Sequence, residues 1–141
     1  MKRYFTLLIL FSGMVMLGCK KENVEKSIVG TWELRNVAGG QLPVDPSVIA
    51  PGSGSLITFS DDGYERRVKG TVVSSGSYSL RKESANVNGD NADYRIVFDD
   101  QSSAIKSYIS LSGNTLKIHY GEIALDGIQE TYKRIEVSTQ N

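Results

Sequence analysis

The sequence predicts an all-β domain, an eight-stranded antiparallel up-and-down barrel. Segments rich in Val, Ile, Thr, Tyr and Phe are separated by clusters of Gly, Asn, Asp and Ser, which is the pattern of strands and turns. Within these segments apolar and polar side chains alternate with a period of two. After the N-terminal apolar residues, no stretch of the chain shows a helical period over the length that a stable helix needs. These three observations favour a sheet throughout.

Eight strand-like segments follow one another along the chain. They cover residues 29–37, 55–60, 63–70, 72–82, 92–99, 104–111, 114–120 and 127–136. Asp62-Gly63 lies between two of them and is a strong hairpin signal, because glycine accepts the positive φ of a tight turn. Short turns join antiparallel neighbours, and closing eight such strands into a barrel removes the free sheet edges. A sandwich is the alternative, although its Greek-key links usually need longer connections.

Alternation indicates which side chains point inward. Tyr94, Ile96 and Phe98 share one face of their segment, and Leu116, Ile118 and Tyr120 share a face opposite Lys117 and His119. One face is therefore expected to be apolar and the other solvated. Two connections are longer than the rest. The first, residues 39–54, contains all three prolines and excludes regular strand, although a short helical turn at 46–49 is compatible with it. The second, residues 83–91, is expected to be a polar loop.

The N-terminal residues have the layout of a secretory signal. Lys2 and Arg3 provide a positive start, and residues 5–17 form an apolar run shorter than the roughly 20 residues of a membrane-spanning helix. The run ends at Met16-Leu17-Gly18-Cys19, which resembles the lipobox of bacterial lipoproteins, although Met stands where Leu is most common. The resemblance implies cleavage after Gly18 and acylation of Cys19. An ordinary secretory signal with an incidental cysteine is the alternative.

The expected organisation is a signal peptide (1–18), a tether (19–27), one β-barrel domain (28–137) and a C-terminal tail (138–141). With Cys19 acylated, no thiol remains for a disulfide, because the chain has no other cysteine. The anchor would hold a monomeric domain in the cell envelope. Lys20 follows the cysteine where many lipoproteins carry an Asp as an inner-membrane retention signal, so the outer membrane is the expected destination.

The segment Gly30-Thr31-Trp32 resembles the Gly-X-Trp signature of lipocalins. Residues 28–34, 58–64, 76–78 and 132–135 are similar to bacterial lipocalin-like domains, so that the resemblance spans most of residues 28–136. It implies that Trp32 closes the narrow end of the barrel and that Arg134 stacks across its indole. Gly30, Trp32 and Arg134 would then be structural residues. The loop at 39–54 would lie over the open end.

An open barrel of this kind would hold a small apolar cavity lined by inward side chains. The candidate ligand-lining residues are Phe59, Tyr64, Tyr78, Tyr94 and Tyr132, with Arg66 as a polar contact. The expected function is binding of a small hydrophobic ligand in or at the mouth of the barrel. The alternative is a filled barrel, in which the same aromatic side chains are core and the domain is a structural or protein-interaction module of the envelope.

Catalytic, metal and cofactor sites are not indicated. His119 is the only histidine and is expected to face away from the core, without the acid and nucleophile of a Ser-His-Asp site. Histidine and cysteine are too few for a zinc site. The acidic pairs at 61–62 and 99–100 lie in turn sequences, where local hydrogen bonding favours Asp. Residues 88–93 lack the closing glutamate of a calcium loop, and no glycine-rich phosphate loop opens a helix.

Charge excludes one further class of partner. The chain has 16 basic and 16 acidic residues and a formal net charge of zero. Nucleic-acid binding needs a basic face, for which this balance gives no case. We therefore expect no enzyme, no metal, no cofactor and no nucleic acid. The expected partners are a membrane, through Cys19, and a small hydrophobic ligand.

Overall fold

The computed structural model describes residues 27–40, 47–99 and 105–136. The predicted signal peptide, Cys19, the tether before Ser27 and the C-terminal tail lie outside these residues. In the described ranges, no helix is long and apolar enough to cross a membrane.

The described residues form an antiparallel β-structure, as the sequence predicts. In chain order the strands are β1 (Gly30–Gly39), β2 (Ser47–Val48), β3 (Ser55–Phe59), β4 (Tyr64–Val68), β5 (Thr71–Gly76), β6 (Tyr78–Val87), β7 (Asp90–Phe98), β8 (Ser107–Ser112), β9 (Thr115–Tyr120) and β10 (Ile128–Ile135). A 3₁₀ turn at Ile123–Leu125 lies between β9 and β10. The all-β prediction is confirmed for this part of the chain.

The strands pair in the order β5-β4-β3-β1-β10-β9-β8-β7-β6, and the short β2 pairs with β1 beside this path. Among the described residues no ladder joins β5 to β6, so the path of hydrogen-bonded strands is open. The predicted count of eight strands is wrong for these residues, which form ten, and closure into a barrel is not confirmed. One additional strand is β2, and the other arises because the segment predicted for residues 72–82 forms both β5 and β6.

That segment is interrupted at Ser77, which belongs to neither strand. Its first part, β5, pairs with β4, and its second part, β6, pairs with β7. Asp99, directly after β7, contacts Ser77 twice. Its carboxylate accepts a 2.9 Å hydrogen bond from the Ser77 backbone N–H, and its own N–H donates to the Ser77 carbonyl at 2.9 Å. Gly76 is required here, because a Cβ would lie 1.7 Å from the Asp99 carboxylate.

The loop predicted at residues 83–91 is wrong. β6 continues to Val87 and β7 begins at Asp90. The two residues between them, Asn88 and Gly89, have φ angles of 55° and 80°. Positive φ at both positions is characteristic of a tight hairpin turn, for which Asn-Gly is the preferred pair. The segment is therefore a hairpin, although its composition is polar.

The connection at residues 39–54 also differs from the prediction. Ser47 and Val48 pair with Val37 and Asn36 of β1, so a short strand stands where a helical turn was considered. Two residues suffice for this pairing because they lie against an existing strand. The middle of the connection, residues 41–46, lies outside the described residues.

The inward face of the sheet carries the hydrophobic core. Its buried members are Ile28, Trp32, Ile57, Phe59, Tyr64, Ile96, Ile109, Leu116, Ile118 and Tyr132. In this core, aromatic rings from β3 and β4 contact aromatic rings from β6 and β7. The rings of Phe59 and Tyr78 have centroids 5.0 Å apart, and those of Tyr64 and Phe98 lie 4.7 Å apart. The sheet is therefore curled so that β3 and β4 contact β6 and β7.

Trp32 and Arg134 pack together beside the start of β1. The Arg134 guanidinium lies 4.1 Å from the indole centroid and donates to the backbone carbonyls of Val29, at 2.8 Å, and of Ser27. The indole N–H donates to the Ile28 carbonyl at 2.8 Å. Gly30 has a φ of +135°, and a Cβ there would lie 2.5 Å from the Arg134 guanidinium. Arg134 thus stacks on Trp32 and ties the start of β1 to β10.

The distal part of the β6–β7 hairpin, residues 84–93, leaves the sheet; we call it the hairpin tip. The β7–β8 ladder covers Tyr94 to Ile96 only. Beyond it, the Asn88 side chain accepts from the Ile123 N–H at 2.8 Å, and Asp90 pairs with Lys117 at 2.7 Å. The tip thus lies on the outer face of β9. His119 is fully buried there, so the expectation of a solvated outer face is wrong at this residue.

Candidate functional site

Arg66 is a cation on the inward face of the sheet. Its strand, β4, places it opposite Ile57 of β3, which is fully buried. Alternation puts Tyr64 on the same face two residues earlier. The Arg66 side chain is 24% exposed, so its guanidinium lies largely out of water. Such a cation needs partners, because an unpaired buried charge is costly.

Three side chains from β9 and β10 surround the Arg66 guanidinium. One of its terminal nitrogens donates to the Glu130 carboxylate at 3.1 Å and to the Tyr132 hydroxyl at 3.2 Å. The other nitrogen donates to the Tyr120 hydroxyl. Tyr132 in turn donates to Glu130 at 2.7 Å. These four residues form what we call the Arg66 cluster.

The protonation states of the cluster follow from its burial and its charges. Burial opposes the Arg66 cation, but the neighbouring Tyr120, Tyr132 and Glu130 together raise its pKa. Burial raises the pKa of Tyr120 and of Tyr132, and the negative charge of Glu130 raises both further. At neutral pH the cluster therefore contains a charged guanidinium and two protonated phenols. Its polar groups are hydrogen-bonded to one another inside an otherwise apolar interior.

A cavity of about 360 Å³ adjoins the cluster. Its walls are Tyr64, Arg66, Phe98, Asp99 and Tyr120. Asp99 accepts from the Tyr64 hydroxyl at 3.0 Å, which fixes one wall. The Arg66 guanidinium lies 5.9 Å from the Phe98 ring centroid and 5.8 Å from that of Tyr120. Three aromatic rings, one cation and one carboxylate thus line a shallow pocket that is largely open to solvent; we call it the Arg66 cavity.

Chemically, the site presents one guanidinium, one carboxylate and two phenol hydroxyls at the edge of the pocket. Its described residues contain no group of three or more His, Cys, Asp or Glu side chains that could hold a metal ion. Comparisons with protein-family models, curated proteins and solved structures find no match to the chain. The functional argument therefore depends on the chemistry of the site itself.

Three of the sequence-predicted lining residues come together here. Tyr64 and Arg66 line the cavity directly. Tyr132 lies behind them, 2% exposed, and reaches the site through its hydrogen bond from Arg66. Its role is to hold the cation rather than to line the open space.

The other three predicted residues lie elsewhere. Phe59 is 1% exposed and packs edge-on against Tyr78 in the core. The Tyr78 hydroxyl donates to the Ser60 carbonyl at 3.1 Å. Tyr94 lines a different cavity, of about 260 Å³, between the hairpin tip and the β8–β9 hairpin. The structure therefore divides the six predicted residues among the Arg66 cavity, the core and this second cavity.

Four residues of the site were not among the candidates. Phe98 and Tyr120 carry an inward signal in the sequence, because alternation places them with Ile96 and Ile118. Glu130 stands two residues before Tyr132 and carries the same signal. Asp99 was interpreted as a turn residue; its φ of 53° agrees with a turn, and its carboxylate also forms a cavity wall.

Proposed function

We propose that the protein is a lipid-anchored, lipocalin-like envelope protein that binds a small, mostly hydrophobic ligand in the Arg66 cavity. The observation that carries this proposal is the cavity itself, about 360 Å³ beside a largely buried cation. Small-molecule sites typically measure about 300–1,000 Å³, with mainly apolar walls and a few polar groups that orient the ligand. At the lower end of that range, the cavity suits a compact ligand with one polar group directed at Arg66.

A barrel architecture is supported by the course of the strand path. Its two ends, β5 and β6, are consecutive in the chain and are separated by Ser77 alone. Ring contacts of Phe59 with Tyr78 and of Tyr64 with Phe98 draw these ends together. Chain continuity at Ser77 would then close the barrel where a ladder is absent. The packing of Arg134 on Trp32 is the second support for a lipocalin-like fold.

A structural or protein-interaction role is the second candidate. It is favoured by the packed interior, where eight of the large side chains are almost wholly inaccessible. A domain whose interior is largely filled by side chains needs no ligand for its stability. Its loops would then be free to contact another envelope protein. The two functions differ in whether the Arg66 cavity is occupied in the cell.

Filling the cavity provides the test of ligand binding. We expect full-length protein purified from membranes in mild detergent to carry a small molecule that mass spectrometry detects, and to bind the fluorescent probe anilinonaphthalene sulfonate. Phe98→Trp puts a larger ring into the cavity wall and should weaken probe binding about tenfold or more, because a filled site excludes the ligand. Affinity is measured by fluorescence titration.

The matched control is Tyr94→Trp, which enlarges a ring in the second cavity. This variant should bind the probe as the wild type does. Thermal melting by circular dichroism checks that both variants are folded. Wild-type protein that carries no small molecule and binds no probe would favour the structural role. Equal weakening by the two substitutions would show that the probe does not report on the Arg66 cavity.

The anchor has a separate test. Cys19→Ser removes the thiol that acylation needs, so we expect the variant to move from the membrane fraction to the soluble fraction or to accumulate uncleaved. The measurement is cell fractionation with immunoblotting, together with mass spectrometry of the wild-type N-terminal peptide. A variant that is processed normally and stays in the membrane fraction would contradict lipidation at this position.

A further inference from the structure

Two arginines lie directly opposite each other on the outer face of the β6–β7 hairpin. Arg81 of β6 pairs in register with Arg95 of β7, and Ile96 beside them faces the core, so both arginines point outward. Side chains directly opposite in antiparallel strands have Cβ atoms about 4.5–5.5 Å apart, and like charges there repel. In the described part of the chain, neither arginine forms an ion pair.

Two buried polar atoms on the same face also have no partner. Of the described residues, only three have a buried side-chain nitrogen or oxygen without a hydrogen bond, and two of these atoms are the Ser79 hydroxyl and the Arg95 Nε. Ser79 stands two residues before Arg81 and therefore on its side of the strand. A buried donor without a partner is unfavourable, typically by about 1–3 kcal/mol. The donors therefore favour an acceptor at this place.

A third cation adjoins the pair. Lys106 forms a 2.5 Å ion pair with Glu83, which also accepts from the Tyr108 hydroxyl at 2.8 Å. Tyr108 pairs in register with Arg95 across the β7–β8 ladder, and the charge of Arg95 lowers the Glu83 pKa together with Lys106. Lys106 and Arg95 thus share one carboxylate, and Arg81 stands directly opposite Arg95. Three cations therefore lie near one another with a single carboxylate between two of them.

We propose that this arginine patch, formed by Ser79, Arg81, Arg95 and Lys106, binds a phosphate-bearing anion. A guanidinium presents a planar fork of donors that matches two phosphate oxygens, so two opposed arginines can share one phosphate. The anion would relieve their repulsion and would accept hydrogen bonds from the two guanidinium groups. The ligand chemistry is a phosphate group, carried by a free phosphate ester or by an anionic lipid headgroup. The patch lies on the opposite face of the sheet from the Arg66 cavity and is independent of it.

Melting of full-length protein in dodecyl maltoside micelles tests the proposal. A ligand that binds the folded state raises Tm, so inorganic phosphate should raise the Tm of the wild type relative to chloride at equal ionic strength. The double variant Arg81→Gln/Arg95→Gln should show no such rise, and its phosphate affinity should be lower by about tenfold or more. In chloride it should be at least as stable as the wild type, because the like-charge repulsion is gone.

The matched control is Arg67→Gln, which removes an exposed arginine of β4 that pairs with Glu65; its response to phosphate should equal that of the wild type. Should the double variant not fold, the two single variants carry the same comparison. A second arm replaces phosphate with micelles containing phosphatidylglycerol or phosphatidylcholine. A Tm rise specific to phosphatidylglycerol assigns the patch to lipid headgroups, and a rise with inorganic phosphate alone assigns it to a free ester. The absence of any wild-type response, or an equal response in the double variant, overturns the proposal.

Discussion

Replacing Trp32 with alanine is expected to lower the free energy of unfolding by about 3–5 kcal/mol, the usual range for a large buried aromatic residue. Trp32 is fully buried, its indole donates to the Ile28 carbonyl at 2.8 Å, and Arg134 stacks on it at 4.1 Å. Alanine removes all three interactions and leaves a cavity. Because a domain is typically stable by only about 5–15 kcal/mol, much of the stability would be lost. Urea denaturation followed by circular dichroism measures the change.

Two arginine variants are the controls for this prediction. Arg134→Met keeps an apolar stem but removes the stack and the bonds to the Val29 and Ser27 carbonyls; a loss of about 2 kcal/mol is expected. Arg67→Met, at an exposed position, should change stability by no more than about 0.5 kcal/mol. If Trp32→Ala shifted the urea midpoint no further than Arg67→Met, Trp32 would not be a main element of the core.

The strand pattern was predictable because it is local. Alternation over five or more residues identified most strands, and Asn88-Gly89 carried a hairpin signal that the polar composition of residues 83–91 obscured. The interruption at Ser77 is different. Residues 72–82 alternate as one strand would, whereas the Ser77 N–H donates to the Asp99 carboxylate, which comes from a part of the chain 22 residues away. No local pattern reports such a contact.

The candidate site was likewise predictable where it depends on local alternation, but not where it depends on contacts between distant strands. Alternation places Tyr64, Arg66 and Tyr132 inward, and it would have placed Glu130 with them. Which partners Arg66 takes could not be deduced, since its ion pair with Glu130 joins strands that are not neighbours in the sheet. That Tyr94 lines the second cavity could not be deduced for a similar reason: residues 90–93 of β7 are not paired with β8, and that divergence is a tertiary effect.

The outer-face histidine should make the fold sensitive to acid. His119 is fully buried under the hairpin tip, where the Asn88 amide lies 3.5 Å from its Nδ1 and the Ser110 hydroxyl 3.3 Å from its Nε2. The charged groups around it are Asp90, 3.8 Å away, and Lys117 on its own strand. Asp90 is already engaged by Lys117 at 2.7 Å, so it compensates a histidine charge only in part.

The direction of the pH dependence of stability follows from the lowered pKa of His119. Burial lowers the pKa of His119 below its ordinary value of 6.5, Lys117 lowers it further, and Asp90 and Gln129 oppose the change without reversing it. The unfolded chain therefore binds this proton more readily than the folded chain does. Stability is fully present above pH 6.5 and is lost as the pH falls below that value, by at most about 1.4 kcal/mol per pH unit for one proton.

His119→Gln tests this directly, because glutamine can still form hydrogen bonds but does not titrate. The free energy of unfolding, measured by urea denaturation between about pH 5 and 7, should fall with acid in the wild type and stay nearly level in the variant, since most carboxyls titrate below this window. Hydrogen exchange at acidic pH should rise first in the hairpin tip, which covers the histidine and has few ladder bonds to the sheet. An equal loss of stability in both proteins would assign the acid sensitivity to another group, and unchanged exchange in the tip would show that protonation is accommodated without opening it.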